Sequence, residues 1–114
     1  MKAIALSVGV LVWMLPGSAS AADSSVAEKG QQVYQKWCTP CHGAGPGKPG
    51  TAASAAHYKG AKPAVLEERT DLTAPAIKDF VRHGVYLMPR FRKTEITDTE
   101  LDAIAAYLTR HQRP

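Results

Sequence analysis

Cys38-Thr39-Pro40-Cys41-His42 constrains this chain more than any other segment: two thiols three positions apart, followed at once by an imidazole. Thiols at that spacing suit the two vinyl groups of one haem, and the next residue is then held beneath the iron, so a single segment supplies tether and proximal ligand. Two other chemistries use the same pair. A thioredoxin-like redox pair belongs near a βαβ pattern, whereas the residues ahead of Cys38 read as helix. A four-coordinate zinc site would need two more ligands from the scattered His57, His83 and His111. The motif therefore predicts one covalently attached haem c.

The first residues bear on location. Lys2 gives a positive start, Ala3 to Leu15 are apolar, and Pro16-Gly17 break the run before Ser18-Ala19-Ser20-Ala21-Ala22. This is the pattern of a secretory signal peptide, expected over residues 1–21, with cleavage after Ala21 or Ala22. The apolar stretch is shorter than the roughly 20 residues of a spanning helix. A periplasmic product is expected, with no transmembrane segment in the mature chain and one monohaem domain over 22–114. Both cysteines belong to the motif, so no disulfide staples so small a fold, and the haem must serve as part of its core. Fourteen Lys and Arg against ten Asp and Glu give a formal charge of +4. That excess is too mild for a nucleic-acid partner, and no basic run with interleaved aromatics occurs.

Helical periodicity runs through the rest, and no strand pattern does. Ser25 is a candidate cap for a first helix over Val26 to Trp37, with Gly30, Val33, Tyr34 and Trp37 on one face. Gly43 to Gly50 reads as a loop, whose Pro49 carbonyl is a candidate acceptor for the second ring nitrogen of His42. Thr51 to Lys62 reads as a surface excursion carrying an exposed His57 that ligates nothing. Pro63 to Glu68 is expected as a short helix. Thr73 and Pro75 open the next one, with Ile77, Phe80 and Val81 on its apolar face and Gly84 stopping it. Met88 then lies in a loop, fixed by Pro89 and beside aromatics, a poor place for core filler but a good one for aiming a thioether at the second face of the iron. His83 is the alternative ligand. Thr97-Asp98-Thr99-Glu100 is a capping box, with Ile96 and Leu101 as its staple, and it opens a last helix buried along Leu101, Ile104, Ala105 and Leu108, with Tyr107 beside it.

Gly30-x-x-x-Tyr34-x-x-x-Cys38-x-x-Cys41-His42, the Gly84 to Phe91 loop with Met88-Pro89, and a last helix carrying Tyr107 together resemble class I cytochromes c over essentially the whole mature chain. The resemblance implies an all-α fold with first and last helices crossed, Cys38, Cys41, His42 and Met88 holding haem c, and one haem edge exposed for electron transfer rather than catalysis. Within that class, Glu67 to Leu72 and Phe91 to Glu95 resemble the small cytochrome subunits of flavocytochromes of the p-cresol methylhydroxylase and eugenol hydroxylase type. This implies a phenol-oxidising flavoprotein subunit as electron donor and a periplasmic redox protein or oxidase as acceptor. A free-standing periplasmic carrier serving several partners is the alternative, and a haem enzyme or gas sensor would require Met88 to leave the iron. Arg82, His83, Arg90, Arg92 and Lys93 flank the Met88 loop, where they form either a basic rim for an acidic partner or an ordinary solvated surface.

Overall fold

The computed structural model describes residues 19–112, all helix, turn and loop. Helix α1 spans Ala19–Trp37, and the single turn α2, Thr39–His42, carries the motif. Helix α3 spans Pro49–Tyr58, followed by a 3-10 turn at Leu66–Glu68. Helix α4 spans Ala74–His83, α5 spans Asp98–Leu108, and a last 3-10 turn covers Arg110–Gln112. Among the described residues there is one isolated bridge, Val85 to Met88, and no strand. The all-α expectation holds.

The crossing of α1 and α5 is built as the sequence implies. A side chain at Gly30 would overlap the Ala103 carbonyl and approach Tyr107 Cβ to 2.9 Å, so glycine is what lets the two backbones touch. Tyr34 is wholly buried, with its ring 5.6 Å from that of Tyr107. Ile96, Ile104 and Leu108 complete the most deeply buried set. Each such aliphatic side chain stabilises the fold by roughly 1.5–3 kcal/mol.

Local chemistry sets the helix ends. Thr97 Oγ1 accepts from the Glu100 amide at 3.2 Å while the Thr97 amide donates to the Glu100 carboxylate at 3.0 Å, completing the capping box, and the staple residues Ile96 and Leu101 are both buried. Thr73 caps α4 through the Ala76 amide, and Gly84 ends it at φ 74°, a left-handed value that glycine adopts without penalty. Ile77 and Val81 are buried, whereas Phe80 on the same face is 44 % exposed because it fronts a cavity.

Three expectations are corrected. Helix α1 begins at Ala19 rather than after Ser25: the hydroxyls of Ser24 and Ser25 donate back to the carbonyls of Ala21 and Ala22 at 2.9 and 2.8 Å, bonds made inside a helix rather than at its cap. Residues 1–18 of the expected signal peptide lie outside the described residues. The stretch from Thr51 is no irregular excursion but the body of α3. Pro49 pre-sets its first turn, Ala52, Ala53, Ala55 and Ala56 are the strongest helix formers, and Lys59 at φ 49° ends it. The helix expected over Pro63 to Glu68 shrinks to the 3-10 turn Leu66–Glu68.

Candidate functional site

Where α2, α3, α4 and the Gly84 to Phe91 loop face one another they enclose a cavity of about 630 Å³, within the usual range for a cofactor or ligand site. Cys38, Cys41, His42 and Met88 all line it, 50 positions apart in the chain at their extremes. Trp37, Leu72, Ile77 and Phe80 line its apolar interior, and Trp37 meets Phe91 edge to face at 5.8 Å.

The motif is held from three sides. The His42 amide donates to the Cys38 carbonyl at 2.8 Å, closing the turn. The Tyr34 hydroxyl donates to the His42 carbonyl at 3.4 Å, which ties the motif to the crossing of α1 and α5. Thr51 Oγ1 donates to the Gly43 carbonyl at 2.8 Å and seats α3 beside the imidazole. At that seat a Cβ on Gly50 would lie 2.6 and 2.7 Å from Cε1 and Nδ1 of His42, so the ring fills the space a side chain would need.

The partner expected for His42 is not there. Nδ1 is buried with no hydrogen-bond partner among the described residues, and the Pro49 carbonyl does not receive it. Pro49 is the first residue of α3, so its carbonyl points along the helix axis into the next turn. Burial lowers the His42 pKa below its ordinary value, keeping the imidazole neutral with a lone pair to give a metal. Burial, with Cys41 second, pushes the Cys38 thiol up to about 12. Cys41 is exposed and Cys38 half-buried, and neither is in a disulfide among the described residues.

The opposite wall is a tight turn. The Met88 amide donates to the Val85 carbonyl at 2.9 Å, the Val85 amide returns the bond at 3.3 Å, and Phe91 N donates to Val81 O at 2.8 Å. Arg82 fastens this loop to α5 by donating to the Phe91 carbonyl at 3.0 Å and to Asp98 at 2.9 Å. Met88 is half-buried at the cavity wall, whereas His83 is exposed, paired with Asp79 at 2.8 Å, and outside the lining. His57 is exposed as expected, yet it also fronts the cavity, its ring 4.7 Å from that of Tyr58.

The cavity has one buried cation that sequence reading missed. Arg69 is 6 % exposed, bonds Asp71 through Nε and Nη2 at 2.5 and 2.7 Å, and stacks 4.6 Å from the Tyr58 ring centre. Those bonds to Arg69, with Lys62 next, hold the Asp71 carboxyl well below the usual range. Nearby, the Tyr107 hydroxyl donates to Glu67. In sequence, Glu67 to Asp71 looks like any solvated charge run. Nothing local marks Arg69 for the interior.

The basic rim is mostly neutralised within the chain. Asp98 pairs with both Arg82 and Lys93, Arg92 lies 3.5 Å from Glu95, and His83 meets Asp79. No group of three or more His, Cys, Asp or Glu able to hold a metal ion occurs among the described residues.

An apolar cavity bounded by paired thiols, a neutral imidazole and a thioether fits a covalently held haem. A helical shell around such a site defines a c-type cytochrome of the class I fold carrying one covalently bound haem c. The chain belongs to the family described as cytochrome c oxidase, cbb3-type, subunit III, whose model matches residues 25–108. No curated protein and no solved structure matches it. It is an electron-transfer protein rather than a catalytic enzyme.

Proposed function

We propose that this chain is a periplasmic monohaem cytochrome with both faces of its iron occupied, by His42 and Met88, and with Cys38 and Cys41 as the thioether tethers. The observation that carries the reading is that these four side chains, and neither His83 nor His111, line one cavity. The haem supplies a one-electron iron couple, and thioether ligation raises its potential relative to two histidines. The protein's own part is to hold His42 between Gly50 and the Tyr34 hydroxyl, to aim Met88 from the turn closed on Val85, and to exclude water with Trp37 and Phe91. Residues 1–21 serve as the export signal.

Met88→Ala tests the ligand set. Haem should remain attached through Cys38 and Cys41 while the methionine–iron charge-transfer band disappears, the potential falls and the ferrous form binds carbon monoxide. An unchanged spectrum and potential would assign the sixth position elsewhere.

The donor is a phenol-oxidising flavoprotein subunit, a reading supported by the likeness of residues 67–72 and 91–95 to flavocytochrome subunits. The alternative is a free-standing periplasmic carrier serving several redox partners; the name of the matched family, an oxidase subunit, supports an oxidase on the accepting side of either reading. Purification from the native host separates them: a copurifying flavin subunit and haem reduction on adding a 4-alkylphenol support the first, and their absence supports the second.

A further inference from the structure

The Gly84 to Phe91 loop carries Met88, yet the turn around that residue does not fix where the loop sits. Val85 and Met88 bond each other and move together, so the pair shapes the turn without placing it. Placement falls to Phe91, at the far end of the loop. Its amide donates to the Val81 carbonyl at 2.8 Å, its carbonyl accepts from Arg82 Nη1 at 3.0 Å, and its ring meets Trp37 edge to face. Val81 lies on α4, the helix from which the loop springs, so that bond lets helix and loop shift as one. Arg82 differs. Its Nη2 continues to Asp98 Oδ1 at 2.9 Å, and Asp98 is the first residue of α5.

The chemistry of this link is particular to arginine. Two terminal nitrogens of one planar fork reach a carbonyl and a carboxylate on different elements at once, which a single ammonium on a flexible stem does not reproduce. The Arg82 side chain is 18 % exposed against 62 % for Asp98, so the guanidinium has given up most of its water and depends on these two acceptors. Lys93 takes the other oxygen of Asp98 at 2.7 Å and leaves Oδ1 to Arg82. A second ion pair, Lys78 with Asp102, joins the same two helices one turn away on each. Among the described residues that pair bonds nothing in the loop.

We infer that Arg82 is the positioning residue for Met88. By bonding the Phe91 carbonyl and Asp98 together it fastens the loop to α5, and this link sets how often the thioether leaves the iron and the sixth position opens to an outside ligand. The inference rests on Met88 as the axial ligand. It assigns the closed sixth position, which keeps the haem to electron transfer, to a residue outside the cavity lining.

Imidazole capture by the ferric holoprotein tests this, since at saturating imidazole the loss of the methionine–iron band is limited by departure of Met88. Arg82→Lys and Arg82→Gln should each lose the band about tenfold faster than the parent, which corresponds to about 1.4 kcal/mol. Asp98→Ala should lose it about threefold faster, and Arg82→Gln/Asp98→Ala no faster than Arg82→Gln alone, because both changes cut one link. Lys78→Gln breaks an ion pair between the same helices and should keep the parental rate, a separation that general loosening of α4 against α5 would not give. Parental rates in the Arg82 variants, or an equal acceleration in Lys78→Gln, would overturn the inference. Asp98→Ala decides the matter if the Arg82 variants do not fold, because this carboxylate is largely exposed, and a parental rate there overturns the inference as well. A parent that shows no such band fails at the ligand assignment and takes the inference with it, whereas a parental band with unaltered rates in the variants removes the inference alone.

Discussion

The two halves of this molecule are built on different terms. Along the crossing of α1 and α5, polypeptide meets polypeptide: Tyr34, Ile104 and Leu108 are almost fully buried, and Gly30 lets the backbones touch. Across the cavity, Phe80, Val85 and Met88 face a volume of about 630 Å³ that the chain alone does not fill. The first half is stabilised by its own side chains, the second by a cofactor. Left unfilled, such a volume would cost at most about 15 kcal/mol at ~24 cal/mol per Å³, against a total stability of 5–15 kcal/mol for an ordinary domain. The cavity half should therefore not survive alone.

Preventing attachment gives the largest effect. Cys38→Ala/Cys41→Ala should abolish the cooperative thermal transition, with residual amide protection confined to α1 and α5 and lost from α3 and α4. Hydrogen exchange checks this. Native-like protection of α3 and α4 in the haem-free chain would break the contrast.

Gly30→Ala attacks the other half. The new methyl has backbone on the far side, not a flexible side chain, so neither helix can yield locally. Destabilisation of about 3 kcal/mol is expected, toward the upper end for overpacking, with the haem spectrum unchanged. Chemical denaturation of the holoprotein measures it, and a loss below about 1 kcal/mol would show that the crossing is looser than it looks.

The division also explains what was legible in the sequence. The α1 and α5 half declares itself locally: Thr97 and Glu100 form a capping box whatever surrounds them, and Gly30 sits in phase with Tyr34. The motif and Met88 were legible because their chemistry is unusual for their positions. The cavity's second layer was not, since it depends on distant contacts. Arg69 becomes interior only because Tyr58, from a helix mistaken for an irregular segment, lies beneath it. The Pro49 carbonyl looked free to meet His42 until α3 began at that same residue.

Gly50→Ala tests the junction of the halves with a smaller effect on stability. Alanine favours the helix by about 1 kcal/mol, which offsets much of the crowding cost, so the denaturation midpoint should barely move. The His42 ring cannot stay where it is, 2.6 Å from the new Cβ. A changed ferric spectrum and a shifted potential at nearly constant stability are expected. An unaltered spectrum would mean that α3, rather than the imidazole, gives way.

The smallest effect is Asp71→Asn, which probes the polar edge of the cavity half. Asp71 is held ionised first by Arg69 and then by Lys62, so its folded pKa lies below its unfolded one. Its contribution is therefore complete above the unfolded value of about 3.9 and is lost as pH falls through the folded value. A fully buried pair broken on one side costs about 3–5 kcal/mol, but this carboxylate is 38 % exposed and solvent screens it. About 1 kcal/mol is expected at pH 7, the upper end for exposed pairs. Urea melts of parent and variant should converge as the pH drops below about 4, where the unfolded parent's carboxylate begins to take up a proton that the folded one still refuses. A gap that stayed constant throughout the acid range would show that the substituted amide disturbs packing and that the ion pair contributes nothing.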